Sequence, residues 1–170
     1  MKVSMTNYLL AALLLSTSLM AAELPNPNIP PVSNLINGQP VPMRPTLAKK
    51  QSLELSVTEV NGTAFTLITH RTIRARGTRA PIHIHPYGGQ TCVFKGEMTL
   101  FMDGAAPARR VAGQCYWMPA RVRMTGVNTG KTDAVMFDTF LVPTEEDVWL
   151  IVEPDLPFNQ HQLNQSYHKH

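Results

Sequence analysis

Short runs of alternating apolar and polar residues, separated by turn residues, extend from residue 53 to residue 141. The first two runs, 53–60 and 64–74, are joined by Asn61-Gly62, a dipeptide typical of tight hairpin turns. Seven further runs follow, with no long helical pattern among them: the segment around His83, then residues 91–94, 97–102, 108–112, 115–118, 124–128 and 134–141. Eight or nine strands at this spacing predict an all-β, antiparallel sandwich or barrel.

The organisation of the chain around these strands suggests one domain with appendages. Because no internal repeat is seen, we expect a single barrel, over residues 47–156. Within it, residues 144–147 resemble a helix cap and first turn, so that 148–152 is either a short helix or a terminal strand. Residues 157–170 are predicted to be a flexible His/Gln-rich tail, and terminal histidines of this kind are usually solvated.

Residues 1–22 have the features of a secretory signal peptide. Lys2 provides the positive start, residues 8–20 are mostly apolar, and Ala21-Ala22 offer small residues for cleavage. The apolar run is shorter than the roughly 20 residues that span a membrane, and no cysteine follows it to carry a lipid. A buried amphipathic helix is the alternative, but the run has no polar face. We therefore expect an exported, periplasmic or secreted protein with no membrane partner.

Residues 23–46 are predicted to form a Pro-rich extended arm. Seven prolines in this stretch fix φ and remove backbone donors, which disfavours a folded unit. A few apolar residues, including Leu35 and Ile36, would let the arm pack along the domain or a partner subunit; a disordered arm is the alternative.

The near-neutral charge of the chain gives no reason to expect a polyanionic partner. The chain has 15 Lys and Arg against 12 Asp and Glu, so we expect neither nucleic acid nor a membrane surface as partner. A local cluster of Arg71, Arg74, Arg76 and Arg79 is interpreted as a solvated strand edge that discourages strand addition. The alternative is a basic lip that attracts an anionic ligand.

His83 and His85 are the strongest chemical signal. Ile82, Ile84 and Pro81 favour an extended segment, in which residues i and i+2 share one face, so the two imidazoles point the same way. Imidazole is the commonest ligand for first-row transition metals, and such a pair is half of a metal site. Two surface histidines on a strand are the alternative.

The surrounding residues resemble the cupin superfamily. Its first motif places a glycine ahead of His-x-His, then a glutamate and a second glycine; its second motif contains a glycine, a proline-associated glycine, a histidine and an asparagine. The resemblance covers roughly residues 53–143 and implies a single jelly-roll barrel whose pocket is lined by both motifs. The matching positions are Gly77, His83, His85, Gly96, Gly113, Pro119 and Asn128.

Three motif positions differ from the family pattern. The glutamate position falls on Gly89, with Gln90 beside it; the second-motif histidine is replaced by Met124, and its glycine by Arg121. The resemblance therefore implies a metal site of His83, His85, Met124 and an amide oxygen from Gln90. Without a carboxylate and with a thioether, such a set favours copper over iron, zinc or manganese. Alternatively, Met124 only fills the core.

Cys92 and Cys115 are the only cysteines, and an oxidising compartment favours their pairing. The resemblance places their strands side by side, and if Gly89 faces the pocket then Cys92 faces away from it. If a bulge turned Gln90 inward instead, Cys92 would become a candidate soft ligand.

These motifs are compatible with three functions. The first is a protein that binds a small-molecule ligand, a soft transition metal, or both; the second is a metal-dependent, dioxygenase-like oxidoreductase; the third is a metal-free structural or dimerisation module. We expect a homodimer. Against an enzyme, the motifs offer no inward carboxylate as general base, so one would have to come from elsewhere. Candidate pocket walls of undetermined orientation are His70, Phe94, Phe101, Tyr116, Met118 and Phe137.

Overall fold

The structure is a computed structural model that describes residues 29–160 and 162, apart from the side chains of residues 56–58. The predicted signal peptide, residues 23–28 of the predicted arm and most of the predicted tail lie outside the described residues. The strands are β1 (Leu35–Ile36), β2 (Gln39–Pro40), β3 (Arg44–Pro45), β4 (Lys49–Val60), β5 (Thr63–Arg74), β6 (Thr78–Arg79), β7 (His83–Ile84), β8 (Gly89–Lys95), β9 (Glu97–Met102), β10 (Ala108–Val111), β11 (Cys115–Met118), β12 (Met124–Val127), β13 (Ala134–Pro143) and β14 (Leu150–Ile151).

Two sheets make up the barrel. A five-stranded antiparallel sheet has the order β11-β8-β13-β5-β4, and a seven-stranded sheet contains β10-β9-β12-β6-β3 together with β7 and β14. Every pairing is antiparallel except that of β3 with β6. The predicted all-β, antiparallel jelly-roll barrel is thereby confirmed. No helix among the described residues is long and apolar enough to cross a membrane.

The core lies between the two sheets. Ile68 and Phe140 from the five-stranded sheet pack with Leu100 and Met124 from the other sheet, and all four are buried. The alternation of β5 and β13 therefore places one face of each strand in the core and the other outside. Of the two alternatives for residues 148–152, the structure has the strand: β14 pairs with β7, beside His83.

The described part of the Pro-rich arm packs on the barrel of its own chain. Ile36 is 4% exposed and lies in a cluster with Ile82, Ile84 and Val152. The backbone amide of Ser33 donates to the carbonyl of Val152 at 2.7 Å. Burial of one isoleucine and a few hydrogen bonds thus attach residues 33–37 next to the strand that carries the histidines.

Cys92 and Cys115 lie opposite each other on β8 and β11 and form the predicted disulfide. Gly89 is buried and Gln90 is exposed, so β8 continues its alternation without a bulge at this point. Cys92 consequently faces away from the histidines. The alternative in which it is a soft metal ligand is wrong, because its sulfur is bonded to Cys115 on the outer side of the sheet.

Two motif positions have structural tasks. Gly96 has φ +78°, and a Cβ there would lie 2.9 Å from the carbonyl oxygen of Asp133. The buried side chain of Asn128 donates to the carbonyls of Arg74 and Thr132, and its oxygen accepts from the amide of Gly130. These two residues therefore hold loops in place and do not line the cavity.

The interpretation of the arginine cluster as a solvated strand edge is wrong for two of its four members. Arg71 and Arg76 are exposed, but Arg74 and Arg79 are 4% and 6% exposed. The Arg79 guanidinium forms a buried ion pair with Glu153. Because side chains alternate along β5, Arg71 faces solvent while Arg74 faces the interior. Their closeness in sequence therefore does not place them on one surface.

Candidate metal and ligand site

His83 is held by the backbone of its own segment. The residue is 6% exposed on β7, and its Nδ1 lies 2.7 Å from the carbonyl oxygen of Pro81. A carbonyl can only accept, so Nδ1 carries the proton and Nε2 presents a lone pair. Burial, followed by the neighbouring His85, lowers the pKa of His83 well below its usual value. The neutral tautomer that binds metals is therefore favoured.

His85 is held in the same way from a different segment. Its Nδ1 lies 2.8 Å from the carbonyl oxygen of Val148, which precedes β14. The ring stacks on Phe140 with centroids 4.9 Å apart. Burial lowers the pKa of His85 to about 4, so this imidazole is also neutral near pH 7. Carbonyls that fix the tautomer of a histidine are a usual second layer around metal sites.

The two free ring nitrogens point at each other. His83 Nε2 and His85 Nε2 are 3.1 Å apart, and with both protons on Nδ1 neither nitrogen can donate to the other. Two lone pairs at this distance repel unless a cation lies between them. Since metal–imidazole bonds are roughly 2.0–2.1 Å long, one ion can contact both nitrogens. The residues present therefore fit two ligands of a metal ion.

Met124 lies next to this pair. It is fully buried, pairs in register with His83, and lines the same cavity. Three further methionines line the cavity: Met98, Met118 and Met136. The Met118 sulfur lies 3.4 Å from the Thr91 hydroxyl oxygen. Thioethers are soft donors, so the cavity wall around the histidines suits a soft ion.

Gln90 lies outside the cavity, which corrects its assignment as a ligand. The side chain is exposed, and its amide nitrogen donates to Cys92 Sγ at 3.3 Å. Its neighbour Thr91 faces inward and lines the cavity. Because side chains alternate along a strand, Gln90 cannot point inward while Thr91 does.

The glutamate position of the family is blocked by an aromatic ring. A Cβ on Gly89 would lie 2.4 Å from Cδ1 of Phe140, a distance that side chains do not tolerate. Phe140 thus fills the space that a longer residue at position 89 would need, and it covers His85 from that side. Glycine at position 89 is therefore a consequence of the packing of Phe140.

Sequence reasoning missed a carboxylate in the cavity. Asp138 on β13 lines it and accepts hydrogen bonds from Thr72 and Thr91, each at 2.6 Å. The signal was present in the alternation of β13, because Asp138 stands between the inward residues Met136 and Phe140. Sequence motifs alone could not identify it, since it lies outside both.

Lys50 and Trp149 were missed as well. Lys50 Nζ lies 4.3 Å from the centre of the Trp149 ring, and that ring lies 4.4 Å from the ring of His83. Burial lowers the pKa of Lys50 well below its usual value, while Asp138 raises it in part. Trp149 is 5% exposed and shields this side of the histidine pair from water.

The cavity itself has about 70 Å³ accessible to the centres of water molecules. One water needs roughly 10–15 Å³ of such space, so several waters or a molecule of a few heavy atoms fit. Of the predicted wall residues, His70, Tyr116 and Met118 line the cavity. Three others do not: Phe94 and Phe137 are exposed on the outer side of the sheet, and Phe101 packs near the arm.

The described residues contain no cluster of three or more His, Cys, Asp and Glu side chains arranged to hold a metal. The site offers two imidazoles and a thioether instead. Burial, with smaller contributions from Lys50 and His85, lowers the pKa of the nearby His70 to about 3. His70 therefore adds a third neutral imidazole to the cavity wall, 5.6 Å from the ring of Phe140.

The three buried histidines predict acid-sensitive stability. Their pKa values are lowered in the folded chain, so below about pH 6.5 the unfolded chain binds more protons. Unfolding free energy then falls as the pH drops from about 6.5 to 4.5, by up to about 1.4 kcal/mol per pH unit for each histidine. Thermal unfolding of the metal-free protein measures this slope. His70→Asn should remove about a third of it, and a flat profile would contradict the prediction.

No protein-family model matches the sequence, and no curated protein is similar to it. Similar solved structures include an RmlC-like cupin family protein with a double-stranded β-helix fold from Methanocaldococcus jannaschii. It is 22% identical over 54% of this chain and 81% of that chain, with a TM-score of 0.42.

Two structures of named enzymes are also similar. A recombinant oxalate oxidase in complex with glycolate is 26% identical over 61% of this chain and 55% of that chain, with a TM-score of 0.45. An oxalate decarboxylase formate complex from Lactobacillus farciminis is 13% identical over 58% of this chain and 33% of that chain, with a TM-score of 0.46. The similar structures thus include a cupin, the family whose motifs the sequence resembles.

Proposed function

We propose that this chain is an exported cupin barrel, periplasmic or secreted, that binds a soft transition-metal ion, copper before iron, zinc or manganese, with room for a small-molecule ligand. The observation that carries the proposal is the 3.1 Å separation of His83 Nε2 and His85 Nε2 with both lone pairs turned toward each other. The carbonyls of Pro81 and Val148 hold the two rings in place before any ion arrives. Such preorganisation favours binding.

The donor set supports a monovalent, soft ion. Gly89 provides no carboxylate, and both histidines are neutral, so the two imidazoles and the Met124 thioether bring no negative charge. Burying a divalent ion with no negative charge among its ligands costs more than burying a monovalent one. Cuprous copper combines low charge with a preference for imidazole and thioether ligands.

When bound, the ion would supply a redox or Lewis-acid centre. The chain's own residues do the rest. Met124, opposite His83 in the strand register, would be a third donor. Trp149 and Phe140 exclude water from two sides, and the cavity beside them would accommodate the small ligand.

Metal content tests the proposal. Untagged protein loaded with copper under reducing conditions and then desalted is expected to retain about one ion per chain. The double variant His83→Ala/His85→Ala should lose that ion, with affinity reduced at least ~100-fold because two of the ligands are gone. Gln90→Ala, a change on the outer side of the sheet, is the matched control and should bind like the original chain. Retention of copper by the double variant would refute the proposal.

A second candidate, a metal-dependent oxidoreductase acting on a small organic molecule, is favoured by Asp138. This carboxylate supplies the inward base that the motifs lack, and Thr72 and Thr91 fix its orientation. Oxygen uptake with simple phenols, thiols and hydroxy acids tests it. Turnover that disappears in Asp138→Asn while copper binding persists would support the enzyme, and uniform silence would leave binding as the function.

A further inference from the structure

The outer face of the five-stranded sheet carries an unusual amount of exposed apolar surface. Six side chains, which we call the apolar face, are 37–69% exposed although each sits in a regular strand: Leu53, Leu55, Phe94, Trp117, Phe137 and Leu141. Scattered apolar residues on a surface are normal, but clusters of them on one face mark an interaction site.

The strand register places five of the six side chains in three neighbouring rows, as an aromatic cluster and an aliphatic cluster separated by Gln90, Thr139 and Thr69. Phe94 joins the aromatic cluster through Phe137, with ring centroids 5.8 Å apart. One row across the sheet runs from Trp117 through Gln90, Thr139 and Thr69 to Leu53. The next row on one side contains Phe137 and the Cys92–Cys115 disulfide, and the row on the other side contains Leu141, Leu67 and Leu55. With strands about 4.8 Å apart, the patch spans roughly 19 Å across five strands.

Charge is sparse on this face. In those three rows the only charged side chain is Arg71, whose guanidinium donates to Gln51 at 3.3 Å, and the row of Phe94 adds Lys49 at the β4 edge. An anionic membrane or a nucleic acid would require several exposed cations. Aromatic residues, few charges and a single arginine are instead the composition of the core of a protein–protein interface.

We propose that the apolar face is the interface of a homodimer, with a second copy of this chain as its occupant. From the exposed fractions, the six side chains offer on the order of 600 Å². Two copies would bury about 1,200 Å² before any rim residues are counted, which reaches the lower limit of stable interfaces.

The arrangement of the face is self-complementary. Its aromatic residues lie on β8, β11 and β13, toward one edge of the sheet, while Leu53 and Leu55 lie on β4, at the other edge. A two-fold axis that runs along the middle strand β13, between two face-to-face sheets, sets the aromatic side of each copy over the aliphatic side of the other. Such an isologous contact closes after two copies.

Sedimentation velocity over 1–200 µM, without added metal, tests the proposal. The original chain is expected to sediment as a dimer at the upper concentrations. Leu53→Lys/Trp117→Lys changes both edges of the face and should be monomeric throughout, with a thermal midpoint within about 4 °C of the original. Ile29→Lys/Val32→Lys changes two exposed apolar residues on the segment before the barrel and should remain dimeric.

If the first variant fails to fold, Leu55→Lys/Phe94→Lys is used in its place. The proposal is overturned if the original chain is monomeric at 200 µM, including the case in which residues 1–28 cover the face. It is also overturned if a folded face variant stays dimeric or if the control becomes monomeric.

Discussion

Replacing Glu153 with alanine is expected to lower the free energy of unfolding by about 3–5 kcal/mol, because it leaves a buried guanidinium without its counter-charge. Glu153 contacts Arg79 through both carboxylate oxygens, at 2.5 and 2.7 Å, and both side chains are less than 10% exposed. For a domain of this size the loss corresponds to a fall of roughly 10 °C in the thermal midpoint. Denaturant titration of the two proteins measures it.

Glu153→Ala should also weaken copper binding at the candidate site. Glu153 also accepts a hydrogen bond from the backbone amide of Ile82 at 2.7 Å, and Ile82 directly precedes His83. Glu153→Gln is the matched control, because its one oxygen keeps an acceptor for that amide, while the charge and one of the two contacts to Arg79 are lost. We expect it to lose less stability than Glu153→Ala and to retain more copper. A change below about 1 kcal/mol for Glu153→Ala would show that the pair is better solvated than its burial implies.

Placing glutamate at position 89, as in the cupin motif, should destabilise the protein unless Phe140 is also replaced by a smaller residue. Gly89→Glu forces a Cβ to within 2.4 Å of the Phe140 ring, and overpacking of this kind costs about 1–3 kcal/mol or more. Phe140→Ala by itself should cost roughly 3–5 kcal/mol through the cavity it leaves. In the double variant the glutamate fills the space that Phe140→Ala leaves, and the clash with the ring is gone. Its loss of unfolding free energy should therefore be smaller than the sum of the two single losses by at least about 1 kcal/mol.

The same double variant should change the metal preference. A carboxylate beside His83 and His85 adds a hard, negatively charged ligand, so the affinity for manganese or zinc relative to cuprous copper is expected to rise at least ~10-fold. Gly89→Ala/Phe140→Ala relieves the clash without adding a carboxylate and is the matched control. Equal metal preference in the two double variants would mean that position 89 does not reach the ion.

Local alternation made most of the fold predictable. The hairpin at Asn61-Gly62 and the strands that follow depend on neighbours in sequence. The pairing of Cys92 with Cys115 was expected because they are the only cysteines and because the cupin resemblance places their strands side by side. The shared direction of His83 and His85 follows from the same period of two. These features need no knowledge of the opposite sheet.

The cavity could not be predicted in the same way, because its walls come from distant strands. Phe140 determines what position 89 can hold, although the two residues are 51 positions apart. Asp138, Lys50 and Trp149 lie outside both motifs and meet the histidines only when the sheets close. Gln90 was assigned inward by its proximity to the expected glutamate, whereas the register of β8 turns it outward.

X-ray absorption of the copper-loaded protein tests the central claim, that His83 and His85 bind one ion together with Met124. The predicted spectrum contains about two nitrogen neighbours near 2.0 Å and one sulfur near 2.3 Å. The sulfur contribution should vanish in Met124→Leu, and the imidazole scattering should vanish in His83→Ala/His85→Ala. A spectrum without imidazole scattering in the original chain, or one unchanged by the histidine substitutions, would contradict the account.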